Sequence, residues 1–153
     1  MSITVVEARP DSAEAMQLIV ELDVHLAGQP YPQESRHAFS IAKLLREGVA
    51  FFVTRYAGQP AGCGGVKLFG REYGEVKRMY VRPDYRGLGL GKAMLTHLAE
   101  YARERQVRVL RLETGIYQTE AMSLYEGFGF QRRPPFGEYQ DDPLSAYYEK
   151  TLA

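Results

Sequence analysis

Apolar positions along the chain recur in two periods, and the switches between periods mark the elements. Residues 3–8 are rich in β-branched side chains and predict an opening strand. In the stretch DSAEAMQLIVELDVHLA that follows, Leu18, Leu22 and Leu26 recur every four residues, the spacing of one helix face. Asp11 with Glu14 three residues on reads as a capping-box start for that helix. GQPYP breaks it, a second short helical pattern covers 39–45, and Gly48 ends that one.

A β-rich block comes next. VAFFVTRYAGQPAGCGGVKLFGREYGEVKRMYVRP predicts three strands with tight turns at AGQP and REYG, hence antiparallel neighbours. Past a glycine-bearing stretch, Met94, Leu95, Leu98 and Tyr101 fall on one helix face. VRVLRLET reads as a strand, TEAMSLYEGFGF as a helix and SAYYEKTL as a final strand, with one more short strand at 130–132. The order β-α-α-β-β-β-α-β-α-β predicts one α/β domain over 1–153, a mixed central sheet flanked by helices. No repeat or linker interrupts it. The helical crossover between EVKRMYV and VRVLRLET makes those two strands parallel.

Composition narrows the function classes. A chain of 153 residues is long enough for one good core. Nineteen basic residues balance nineteen acidic ones, so no net field recruits nucleic acid or an anionic membrane, and neither is expected as a partner. No apolar run approaches the roughly 20 residues that span a bilayer, and MSITVVEARP does not read as a signal segment. A lone cysteine, Cys63, cannot form an internal disulfide, which suits a reducing, cytoplasmic setting. Within AGCGG it reads as a buried strand cysteine rather than a nucleophile. His25, His37 and His97 are scattered, His97 reads as a surface residue, and no Cys–His or Ser–His–Asp arrangement stands out.

The chemistry concentrates in VRPDYRGLGLGKAML, residues 81–95. Gly87, Gly89 and Gly91 permit positive φ and close approach to the backbone, and they open a helix whose unpaired N–H groups attract anions. Arg86 and Lys92 beside them favour a phosphate. A dinucleotide fingerprint fails because Lys92 stands at its third glycine. A P-loop fails because Arg86 holds its first position and Ala93 its last.

A third pattern fits. Arg86, Gly89 and Gly91 meet [QR]-x-x-G-x-[GA], preceded by the V-x-P of Val81 and Pro83. Ala121, Leu124, Tyr125, Gly129 and Phe130 meet A-x-x-L-Y-x-x-x-G-F. Together they resemble the GNAT family of acetyl-CoA-dependent N-acetyltransferases. The resemblance implies a GNAT-like sheet and direct transfer of an acetyl group from acetyl-CoA to a primary amine, most simply of a small molecule, without a metal. It implies that Arg86, Gly87, Leu88, Gly89, Leu90, Gly91 and Lys92 hold the pyrophosphate. The backbone of Met79, Tyr80 and Val81 would pair with the pantetheine arm, and Tyr125 would touch the cofactor and protonate the leaving thiolate. Gln118 stands where the family often has asparagine.

The same resemblance places a base at Glu75, acting directly or through water, with Glu113 as runner-up. Both would line the cleft if the parallel strands diverge. Alternatively Glu75 is a solvated edge residue paired with Lys77 or Arg78. A cleft bearing Arg78 or Arg111 would favour a carboxylate on the acceptor. The tail acids Glu138, Asp141 and Asp142, near Arg132 and Arg133, would favour a cation, or form a solvated loop. Other readings are a protein amine as acceptor, a CoA-binding sensor without turnover, or an interaction domain whose glycines only turn the chain. Small members of the family commonly pair, which implies a homodimer.

Overall fold

A computed structural model of the protein describes residues 2–32 and 39–153; His37 lies outside them. The elements are β1 (Ile3–Glu7), α1 (Ala13–Ala27), α2 (Ile41–Arg46), β2 (Ala50–Tyr56), β3 (Gln59–Phe69) and β4 (Tyr73–Val81). A 3-10 turn (Pro83–Tyr85) then leads into α3 (Leu90–Glu104), β5 (Val109–Gly115), α4 (Thr119–Phe128), β6 (Gln131–Arg133) and β7 (Ser145–Thr151). The predicted order holds, including the short strand before β7. Seven strands form one sheet in the order β1-β2-β3-β4-β5-β7-β6.

Alternation along β2 sorts the core into two layers. Phe52 joins Met94, Leu95, Leu98 and Ala102 of α3 on one face of the sheet. Its neighbours Phe51 and Val53 join Ala15, Leu18 and Ile19 of α1 and Leu44 of α2 on the other. Cys63 of β3 is 1% exposed in that second layer. Its thiol donates to the Arg78 carbonyl at 3.3 Å, and burial pushes its pKa up to about 12. It is the inert strand cysteine expected.

Local details differ from the sequence pattern in instructive ways. Helix α1 is capped by Ser12, whose hydroxyl accepts from the Ala15 N–H at 3.4 Å, and not by Asp11. Asp11 instead binds Arg9 at 2.9 and 3.0 Å, and Glu14 reaches Arg55 of β2 at 2.5 Å. Both acids are engaged elsewhere, and Ser12 is the residue whose hydroxyl reaches an open N–H of the first turn. His97 is not a free surface residue: its ring meets Phe52 edge-on at 4.4 Å. Leu26 ends the α1 stripe only partly buried, on the wall of a cleft.

Two irregularities shape that cleft. Strands β4 and β5 are parallel, as predicted, but pair only at Gly74 with Leu110 and Glu75 with Arg111. Beyond Glu75 they separate. On its other edge β4 carries a bulge: Lys77 pairs with Gly65 and Tyr80 with Cys63, so Arg78 and Met79 oppose Gly64 alone. Arg78 there has φ +57, a costly conformation for a side chain of its size. Helix α1 is held across β4 by Glu21, which binds Arg82 through two bonds of 2.9 Å.

The bulge needs room on β3. A Cβ at Gly62 would lie 2.4 Å from the Tyr80 carbonyl oxygen and 3.3 Å from the Val81 Cα. At Gly64 the nearest atoms are the flexible thioethers of Met79 and Met94. Gly62→Ala is therefore expected to cost about 3 kcal/mol, the upper end for overpacking, and Gly64→Ala clearly less. Urea midpoints with an unchanged slope check the order; equal losses would show that β4 yields at Tyr80.

Candidate active site

The separation of β4 from β5 opens two compartments that share Leu22, Met79, Gln118, Ala121 and Tyr125. The outer groove, about 510 Å³, runs from the end of β4 over the glycine loop to α4. Met79, Tyr80, Val81, Arg86, Gly87, Gly89, Leu90, Gly91, Lys92, Gln118 and Tyr125 all stand on its wall. Leu88 does not; it is 42% exposed. Met79, Tyr80 and Val81 have no strand partner toward β5, which leaves an edge that an extended amide chain can join.

The three glycines divide into two jobs. Gly87 at φ +79 and Gly89 at φ +91 take a left-handed backbone that turns the chain into α3. The first helical bond runs from the Ala93 N–H to the Gly89 carbonyl, and the N–H groups of Leu90, Gly91 and Lys92 bond to no backbone carbonyl among the described residues. With the dipole of a 15-residue helix behind them, they form an anion site. Gly91 instead gives proximity, since a Cβ there would meet the Leu124 side chain at 2.6 Å. Arg86 bridges the rim, donating to the Val81 carbonyl at 3.0 Å and to Glu120 at 3.3 Å.

Gln118 caps the groove from the start of α4. Its Oε1 lies 3.1 Å from His25 Nε2, while its Nε2 is buried with no partner. A buried amide N–H left unpaired costs about 1–3 kcal/mol, and a ligand carbonyl would remove that cost. Amide-rich pantetheine fits this wall, and the pyrophosphate fits the loop.

Tyr125 stands where the compartments meet, 5% exposed. Burial drives its pKa well above the usual phenol value, with Glu113 adding to the effect, so the hydroxyl stays protonated. That hydroxyl makes no hydrogen bond among the described residues.

The inner cavity, about 340 Å³, has apolar walls from Leu22, Leu26, Tyr31, Phe39 and Leu112. Among the described residues its charged members are Asp23, Glu75, Lys77, Arg78 and Glu113, so both carboxylates expected in the cleft are there. Glu75 is 4% exposed and is no solvated edge residue. Its Oε2 accepts from the Tyr139 hydroxyl at 2.6 Å and pairs with Lys77 Nζ at 2.7 Å. Lys77 also donates to the Tyr139 oxygen at 3.1 Å and lies 4.2 Å above the Phe39 ring. Glu113 accepts from the Ser145 hydroxyl at 2.8 Å.

Arg111 is absent from the cavity wall, its guanidinium over the Tyr73 ring and bonded to Glu149 at 2.7 Å. Arg132, Glu138 and Asp141 are exposed, Arg133 pairs with Glu149, and Asp142 accepts from the Leu144 N–H. None of these five lines the cavity, so the tail brings no acid to it. What the tail does bring is Tyr139, which the sequence pattern did not single out. Phe136 anchors the segment in a cluster with Tyr73 and Tyr147, and Tyr139 follows it into the wall. One aromatic among eleven tyrosines carries no sequence signal for that role.

Residues 16–130 match the Acetyltransferase (GNAT) family. The chain belongs to that family. It is 40% identical over 152 residues to an IAA acetyltransferase of Azospirillum brasilense, covering 99% of each chain. It is 34% identical to an uncharacterized N-acetyltransferase of Bacillus subtilis, covering 93% of this chain and 97% of that one. Among solved structures, a Klebsiella pneumoniae protein whose name puts it with the acyl-CoA N-acyltransferases superposes with a TM-score of 0.82. The two are 35% identical, with 99% and 98% of the chains covered. The PaiA N-acetyltransferase of Thermoplasma acidophilum, solved with coenzyme A, shares the fold at a TM-score of 0.79 and 20% identity, over 99% of this chain and all of that one. This protein is thus an N-acetyltransferase of the family that uses acetyl-CoA. Among the described residues, no helix is long and apolar enough to cross a membrane.

Tyr139 lines the inner cavity and not the outer groove. Tyr139→Phe removes a hydrogen bond to a carboxylate, of the kind worth about 1.5–3 kcal/mol, so kcat should fall about tenfold or more. The acetyl-CoA dissociation constant, read by calorimetry, should not change. An unaltered kcat would mean that Lys77 alone suffices to hold Glu75.

Proposed function

We propose that this enzyme moves the acetyl group of acetyl-CoA directly onto the primary amine of a small molecule, both reactants being bound together. The observation that carries this reading is the meeting of two compartments of unlike character at Tyr125. The outer one offers backbone edges and helix N–H groups to a long phosphorylated chain. The inner one offers a smaller, half-open space with largely apolar walls and carboxylates to a small amine, and its size favours a free molecule over a protein surface.

Acetyl-CoA supplies a thioester carbonyl, which an amine attacks once it is neutral. Glu75 takes the proton from the ammonium, directly or through water, and Lys77 and Tyr139 keep its carboxylate turned toward the cavity. The C–N bond forms as the C–S bond breaks, Tyr125 gives its proton to the departing sulfur, and the surplus proton on the new amide nitrogen passes to the Tyr125 oxygen, which restores the phenol. A neutral phenol suits that step because it waits uncharged beside the thioester, and the proton coming from the nitrogen keeps it from remaining a phenolate. Holding both reactants side by side supplies much of the rate enhancement. Gln118 and the free edge of β4 fix the position of the pantetheine arm, and residues 86–92 fix its far end.

Calorimetric titration with acetyl-CoA, alongside NAD and ATP, tests the groove. Only acetyl-CoA is expected to saturate it. Thiol release, read with a chromogenic disulfide, then follows the reaction, and buried Cys63 does not interfere. Tyr125→Phe should lower kcat about 100-fold with little change in acetyl-CoA affinity, the scale of one general acid. Glu75→Gln should cost more in kcat than Glu113→Gln. Failure of acetyl-CoA to bind at millimolar concentration would end this reading.

A further inference from the structure

The inner cavity also bears on what the acceptor carries besides its amine. Arg78 lies in its wall with a side chain only 5% exposed. Among the described residues only its Nη2 is engaged, by Asp23 and by the Ile19 carbonyl at 3.4 Å. Its Nε is buried with no partner among the described residues. A guanidinium so deeply placed and so incompletely paired is costly, and the fold holds it there at a second cost, the left-handed φ of the β4 bulge. Among the described residues its counter-ion is Asp23, which is 52% exposed and screened by water, so the guanidinium itself is left incompletely neutralised.

The other charges do not offer the same opportunity. Lys77 is matched at close range by Glu75 and covered by the Phe39 ring. Arg111 and the tail charges are outside the cavity. Of the three wall carboxylates among the described residues, Glu75 and Asp23 already face cations, and Glu113 accepts from Ser145. A polyamine would bring its additional charges against Lys77 and Arg78, whereas an anionic group would meet an unfilled donor. Leu22, Leu26, Tyr31 and Phe39 leave the remaining wall apolar.

Building on the acetyl-transfer reading above, we infer that the acceptor is a free amino acid with an apolar side chain, whose carboxylate is held by Arg78 while its amine faces Glu75 and Tyr125. Arg78 is then the residue that sets specificity, and Asp23 is the internal carboxylate that the substrate competes with. Arginine suits this role because its donors match a carboxylate in geometry as well as charge.

The test compares each amino acid with its own amide, leucine with leucinamide and phenylalanine with phenylalaninamide, and includes spermidine as a polycation. The amide keeps shape and amine but loses the charge. With wild type, kcat/KM for thiol release should favour the acid by about tenfold or more, the scale of a charge-assisted bond. Arg78→Gln should bring the acid-to-amide ratio toward one, and Asp23→Asn, a change at an exposed position, should raise it. If the amide or spermidine is used as well as the amino acid, or if acetyl-CoA binds and no amino acid speeds thiol release, this inference is wrong while acetyl transfer stands. If acetyl-CoA does not bind at all, the underlying reading fails instead. The wild-type comparison decides the matter even if Arg78→Gln does not fold.

Discussion

The site depends on a sheet that stops pairing. After Gly74 and Glu75, β4 and β5 part, and the main-chain groups of Met79, Tyr80 and Val81 lose their partner on that side. A sheet interior normally forbids this, because each buried, unpaired backbone group costs about as much as a lost hydrogen bond. The protein tolerates it because the gap is a groove, where water or an extended ligand meets those groups. Every functional element is arranged around the gap. The start of α3 closes one end, α4 brings Gln118 and Tyr125 to one side, and α1 brings Leu22 and Leu26 to the other.

The two compartments rely on different parts of the chain. The outer groove is mainly backbone: free strand edge, loop N–H groups and a helix dipole. Such a surface depends on glycines and chain path more than on side-chain identity, which is why its signature is short and shared across a family. The inner cavity is built of side chains from β4, β5, α1 and the segment before β7, elements far apart in sequence. Tyr125 belongs to both, and burial keeps its hydroxyl protonated at the boundary between them.

This division explains what was legible in the sequence. The element order, the parallel crossover and the loop follow from local spacing, and residues 86–92 with Tyr125 stood out because their pattern is contiguous. The bulge was not legible, since nothing in VKRMY announces that Arg78 adopts a left-handed backbone. Nor was Tyr139, whose place is set by Phe136 packing against Tyr73, more than sixty residues away. The α1 cap was misjudged because Asp11 is claimed by Arg9 and Glu14 by Arg55, the latter a contact across the fold. His97 was misjudged because helix periodicity does not show that an imidazole lies against Phe52.

The glycine triplet shows how one short motif can serve both compartments. Gly87 and Gly89 are needed for their backbone angles, so a side chain at either would strain the turn that exposes the N–H groups. Gly91 has ordinary helical angles, and what it contributes is distance: Leu124 of α4 rests where its Cβ would be. That close approach places the first turns of α4 beside the groove, and with them Gln118 and, one residue beyond Leu124, Tyr125. An alternating spacing of three glycines therefore fixes two things at once. The first two turn the chain so that the helix N–H groups are open, and the third sets how far Tyr125 stands from them.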